Sequence, residues 1–256
     1  MNNLKNFHFI LQGKGGVGKT TVATFISQYL KDYLKQDYLA IDTDQVNASF
    51  ASFKALNVET INLMEENRIT DTGWEILANR LLNTDKSNII IDNGASSFVP
   101  LMNYAYDNDL FNTLILEENN YAGNVFIHTV IAGGEGLSHT LAGLNTICSN
   151  FKNSNIRIIV WINNFLGKVE TENKKITDYP EYKNNENKIL GVVRIPIYKG
   201  DLFKKDLSDM LTNHKTFNEM LEDSQVFIMT RSRIKRMQKE MFEELNKIDI
   251  IFDEEE

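Results

Sequence analysis

Short apolar runs alternate with segments of helical period along most of the chain. Residues 7–11 (FHFIL), 38–41 (YLAI), 88–91 (NIII), 124–131 (NVFIHTVI), 156–162 (IRIIVWI) and 189–195 (ILGVVRI) read as strands. Several are apolar on both faces rather than on one, the pattern of strands covered on both sides. Between them lie helix candidates at 19–34, 73–83, 135–150, 201–223 and 226–248. The stripe in 73–83 is Trp74, Leu77, Leu81 and Leu82; in 226–248 it is Ile234, Met237, Met241, Leu245 and Ile248. This alternation predicts an α/β fold, a mostly parallel sheet flanked by helices with right-handed crossovers. Residues 163–188, rich in Asn, Lys and Glu, break the pattern and read as a surface excursion for a partner or as a tolerated insertion.

The first run leads into QGKGGVGKTT at residues 12–21, in which Gly13, Gly18, Lys19 and Thr20 fit G-x-x-x-x-G-K-[ST]. Glycines let a loop wrap with its N–H groups inward, and the helix that follows adds its positive end, so the segment is built for phosphates. Gly13, Gly15, Gly16, Val17, Gly18, Lys19, Thr20 and Thr21 form the expected cradle. Lys19 reaches the β- and γ-phosphates, and Thr20 offers its hydroxyl to Mg²⁺. Two strand candidates end in aspartate, Asp42 and Asp92. Strand ends share the edge where such a loop sits, so both are candidates for the metal, Asp92 partly through its water shell. Asp44, just past the strand end, is placed to orient a water toward the γ-phosphate. A glycine turn that binds nothing and aspartates that merely cap turns are the structural alternatives.

Composition narrows the picture. The chain has 256 residues, 42% apolar and 24% charged, enough for one sizeable core, and it reads as a single domain over 1–256. A net charge of −8 opposes strong binding to DNA or anionic lipid without a local basic patch. One cysteine, Cys148, excludes an intrachain disulfide and a cysteine-held iron–sulfur cluster, as suits a cytoplasmic protein. No stretch reaches the roughly 18 apolar residues of a membrane span. His8, His128, His139 and His214 lack metal-ligand spacing, and the glycines of IAGGEGL at 131–137 read as a strand-to-helix turn. The 226–248 helix is basic in its first half and acidic in its second, and the chain closes on an acidic DEEE, 253–256. That charge pattern suits a helix packed on the domain better than one lying on a membrane.

The loop contains a second lysine, Lys14, redundant beside Lys19 within one subunit. KGGVGKT resembles the deviant Walker A motif of ParA/MinD-class ATPases, and the resemblance implies that Lys14 crosses an ATP-dependent homodimer to the partner's phosphates. IDTDQVN resembles the segment in which that class uses a second aspartate, here Asp44, to support hydrolysis. LQGKGGVGK, IDTDQVNASFASFKALNV, IDNGASSFVPL, IHTVIAGGEGL, VVRIPIYK, DLSDML and IMTRSRIKRMQKEMF together resemble the TraL family of conjugal transfer proteins, over nearly the whole chain. The class also implies adenine held by an Asn after a late strand, here Asn163 or Asn164, and by a loop at Pro196. Two departures stand out: Gln45 follows Asp44 without the class proline, and the proline after Asp92 is delayed to Pro100. The expectation is therefore an ATP- and Mg²⁺-binding ATPase that is an accessory of conjugative DNA transfer, contacting the transfer machinery and DNA at most weakly. The alternatives are an ATP-bound switch or scaffold with little hydrolysis, and a plasmid-partition ATPase.

Overall fold

The computed structural model describes residues 4–44, 47–66, 68–115, 123–151 and 156–252. Gln45, Val46 and the acidic 253–256 segment lie outside them. The strands are β1 (Lys5–Ile10), β2 (Tyr38–Asp42), β3 (Glu59–Thr60), β4 (Met64–Glu65), β5 (Arg68–Ile69), β6 (Asn88–Asp92), β7 (Gly123–Ala132), β8 (Arg157–Asn163) and β9 (Ile189–Arg194). Seven of them form one sheet in the order β3-β2-β6-β1-β7-β8-β9, and β4 pairs with β5 in a small antiparallel ribbon. Every pairing in the large sheet is parallel. The six strands expected from apolar runs are all present. The two-residue β3 at the sheet edge, both of its side chains exposed, has no apolar run to announce it.

Helices cover both faces, which is why the central strands carry apolar residues on both sides. On one face, α2 (Asp71–Leu82), α3 (Phe98–Asp107), α4 (Leu110–Ile115) and α5 (Leu137–Asn150) contribute Trp74, Leu101, Phe111 and Leu144 to a core with Phe7, Phe9 and Ile91. On the other, α1 (Lys19–Gln28), α7 (Asp201–Thr212), α8 (Phe217–Glu222) and α9 (Ile228–Leu245) contribute Phe25, Met210, Phe217 and Met237 to a second core with Ile10, Ile90 and Trp161. α9 buries Ile234, Met237, Met241 and Leu245, so its apolar stripe is packed within the chain.

Several helix boundaries differ from the periodicity reading. The 201–223 segment is two helices, because His214 takes a left-handed backbone and Thr216 restarts the chain with a capping box to Glu219. α1 runs into a π-helical turn at Tyr29–Leu34, closed by Lys35 in the left-handed region. α3 and α4 have no counterpart among the expected helices; Pro100 sits in the first turn of α3, where no N–H partner is needed.

The expectation for 163–188 needs correction. Val169, Ile176, Tyr179 and Tyr182 of that stretch are buried in the first core, with α6 (Pro180–Lys183) among them. Tyr179 donates its hydroxyl to Val169 O at 2.9 Å, and Arg194 holds Glu170 through two hydrogen bonds. The polar composition describes only the outer side of a segment that closes the core.

Candidate nucleotide site

β1 is the switch point of the sheet: β6 and the chain leading to β2 lie to one side, β7 to the other. Ligands bind α/β sheets at the carboxyl edge of such a point. There β1 passes into the glycine loop, and Gly16 (φ 72°) and Gly18 (φ 105°) take backbone conformations that an L side chain resists. Gly18 leads directly into α1, so Lys19 and Thr20 open the helix with their N–H groups at the loop. The entrance is anchored by buried Gln12, whose Nε2 lies within hydrogen-bonding distance of Thr129 Oγ1, Val130 O and Thr140 O at 3.1–3.3 Å.

A cavity of about 700 Å³ opens over the loop. Gly15, Gly16, Gly18, Lys19, Thr20 and Thr21 line one side; Asp44, Asn47, Ser49 and Asp92 line the other, with Asn93, Ala95 and Ser96 completing it. The β1–β6 and β2–β6 register brings Asp92 level with Ile10 and Asp42 at the strand ends. Thr20 Oγ1 donates to Asp92 Oδ2 at 2.6 Å and lies 3.1 Å from Ser49 Oγ. Lys19 Nζ curls back toward Lys14 O at 3.5 Å. The Lys14 residue is exposed.

Burial dominates the electrostatics. It pushes the Asp92 carboxyl up to about 7 against the opposing hydrogen bond from Thr20, and it lowers the Lys19 ammonium although Asp92 and Asp44 pull the other way. Asp92 Oδ1 is buried and receives no hydrogen bond among the described residues. An orphaned carboxylate oxygen beside two hydroxyls is a hard, oxygen-only donor set, which suits Mg²⁺ completed by phosphates and water. Thr20 and Asp92 therefore fit the metal that the loop motif implies. Asp42 does not: its Oδ1 accepts from Asp44 N at 2.9 Å and its Oδ2 from Ala51 N at 3.0 Å. Both bonds shape the segment after β2, and Asp42 is not among the residues that line the cavity.

A second cavity of about 210 Å³ shares Gly16, Gly18 and Thr21 with the first. Asn163, Phe165, Leu166, Ile195, Leu207, Ser208, Leu211 and Thr212 complete it. Asn163 is here, but its amide is already engaged: Nδ2 donates to Val17 O at 2.9 Å and Oδ1 accepts from Phe165 N at 3.0 Å. It ties the glycine loop to the β8 turn. Pro196 is not in this cavity; Ile195 is, while Pro196 faces Phe25, Tyr198 and Met237 on the helical side. Ser49, Asn47, Asn93 and the α7 residues escaped the motif reading. They belong to no phosphate signature, and only the parallel register and the placement of α7 bring them to the loop.

The family model of the CobQ/CobB/MinD/ParA nucleotide-binding domain matches residues 8–197. A protein TraL of Escherichia coli is 37% identical over 248 residues, 97% of this chain and all of its own length. The chain belongs to the TraL family of MinD/ParA-type nucleotide-binding proteins. A second E. coli protein TraL is 36% identical over the same extent. Among solved structures, the MinC:MinD cell division protein complex of Aquifex aeolicus shares the fold at a TM-score of 0.51 and 14% identity, covering 91% of this chain and 96% of that one. Among the described residues no helix is long and apolar enough to cross a membrane.

Proposed function

We propose that this TraL-family chain binds Mg-ATP at the glycine loop and hydrolyses it as an accessory protein of conjugative DNA transfer. The observation that carries the reading is the convergence of Lys19, Thr20, Asp44 and Asp92 on one cavity over the loop. Lys19 and the loop N–H groups take the phosphate charge, Thr20 and Asp92 hold the metal, and Asp44 orients the attacking water. When bound, Mg²⁺ neutralises charge on the phosphate oxygens. The second cavity suits adenine: the described residues lining it include no carboxylate to pair with the N1–H and amino group of guanine. Lys14, exposed on the loop, acts across a nucleotide-dependent homodimer on the partner's phosphates.

A low-turnover switch is the second reading, favoured by one contact. Asp44 Oδ1 already accepts from Asn47 N at 3.1 Å, so water positioning requires that bond to be shared or broken. A partition-type grip on DNA draws less support, since Arg233 and Arg236 of α9 are held by Asp206 and Glu240.

Calorimetry with ATP and Mg²⁺ tests the site: the parent binds, and Lys19→Ala loses binding. Parental affinity in Lys19→Ala overturns the assignment. Turnover separates the two readings. A hydrolysing parent whose turnover is lost in Asp44→Ala supports the ATPase; a binding parent without turnover supports the switch.

A further inference from the structure

We propose that Ser49 is a second hydroxyl ligand, beside Thr20, for the divalent cation that accompanies ATP; the inference rests on the nucleotide-binding reading above. Thr20 has a single hydroxyl proton, and it is directed to Asp92 Oδ2 at 2.6 Å. At the 3.1 Å contact between Thr20 Oγ1 and Ser49 Oγ, the Ser49 hydroxyl must then be the donor. That leaves the lone pairs of Ser49 Oγ uncommitted at the wall of the phosphate cavity, which Ser49 lines.

The spacing is that of two neighbouring ligands. With Mg–O bonds of about 2.1 Å, adjacent corners of an octahedron stand roughly 3.0 Å apart. The two hydroxyl oxygens are 3.1 Å apart. A serine hydroxyl merely capping Thr20 needs no fixed position, whereas this one is held. Its neighbour Phe50 is fully buried in the second core, and the next N–H, of Ala51, is clamped at 3.0 Å by Asp42 Oδ2. Asp42 thereby acts on the metal site without touching the metal: it fixes the stretch that presents Ser49. Mg²⁺ keeps several waters, so with Asp92 acting through one of them, Thr20 and Ser49 are the two direct protein ligands beside the phosphate oxygens, and Ser49 replaces one water.

The test uses the full chain and titrates ATP in chelator, in Mg²⁺ and in Cd²⁺. Ser49→Ala is expected to keep the parent's affinity in chelator, which also reports an intact fold, and to lose about tenfold or more of the gain that Mg²⁺ gives the parent. Ser49→Cys is expected to lose the same gain in Mg²⁺ and recover it in Cd²⁺, because a soft thiolate prefers the softer ion. A Ser49→Ala protein with the parent's full Mg²⁺ gain overturns the inference and leaves the nucleotide site standing. So does a Ser49→Cys protein with no change in metal preference. A parent that binds ATP under none of the three conditions overturns the nucleotide reading, and the inference with it.

Discussion

His8 Nδ1 lies 3.1 Å from His128 Nε2 inside the sheet, and the direction of that hydrogen bond is fixed by the groups at either end. Trp161 Nε1–H, a donor only, points at His128 Nδ1 at 2.9 Å. His128 must then carry its proton on Nε2 and donate to His8 Nδ1. His8 in turn donates from Nε2 to Asn88 Oδ1 at 3.3 Å, and Asn88 Nδ2 donates to Gln36 Oε1 at 3.3 Å. One chain of hydrogen bonds crosses β8, β7, β1 and β6 with both imidazoles neutral. Burial pushes the His8 imidazole down to about 4 and lowers His128 well below its ordinary range.

Stability follows with a defined sign. A histidine whose folded pKa lies below its unfolded value near 6.5 stabilises the protein above that pH and loses the contribution as pH falls toward 4. For His8 the loss is on the order of 3 kcal/mol. Denaturant unfolding of the parent and of His8→Gln should therefore show the parent losing ground to the variant between pH 7 and pH 4. Parallel curves across that range would remove the assignment.

Asp92 carries the opposite sign. Its folded carboxyl sits at about 7, above the unfolded value of 3.8, so the apo protein loses stability as pH rises from 4 to 7. Asp92→Asn, measured in chelator, should raise the melting temperature at pH 8, where the parent holds a buried, incompletely partnered charge. The same variant should bind Mg-ATP at least about tenfold more weakly. A destabilised Asp92→Asn at pH 8 would contradict the electrostatic account.

Gly133 is bound to its neighbour by close approach. A Cβ there would stand 2.0 Å from Gly167 O, so the end of β7 and the turn after β8 are in backbone contact. Gly133→Ala is expected to cost about 1–3 kcal/mol by forcing those backbones apart. It should also weaken nucleotide binding, because the displaced turn carries Phe165 and Leu166 of the second cavity. Thermal melting and calorimetry read the two effects separately.

Gln12 separates shape from charge. Gln12→Glu is nearly isosteric but replaces the amide donor facing Thr129 Oγ1, Val130 O and Thr140 O with an acceptor. It should destabilise the fold more than Gln12→Leu, which forfeits the hydrogen bonds, about 1–3 kcal/mol, without burying a charge. Equilibrium unfolding at neutral pH ranks the pair, and the reverse order would refute the anchoring role.

The sequence by itself determined the class of fold, because strands covered on both faces carry apolar residues on both sides and strand–helix alternation admits few topologies. It also marked the glycine loop as a phosphate-binding candidate, because its glycines and lysine are contiguous. The TraL resemblance was legible for a related reason, being spread over segments from the loop to α9. Only the tertiary structure decided which aspartate faces the cavity. Asp42 and Asp92 read alike as strand ends, yet Asp42 accepts the N–H groups of Asp44 and Ala51 away from the cavity lining, while Asp92 lines the cavity with one oxygen unpartnered. The same holds for Asn163, which ties the loop to β8, and for the 163–188 stretch, whose four widely spaced apolar residues become core once Glu170 and Arg194 pin it down. Local pattern reports the period and the motif; which polar atoms remain uncommitted is a property of contacts between residues far apart in the chain. Ser49 beside Thr20, 29 positions away, is such a contact.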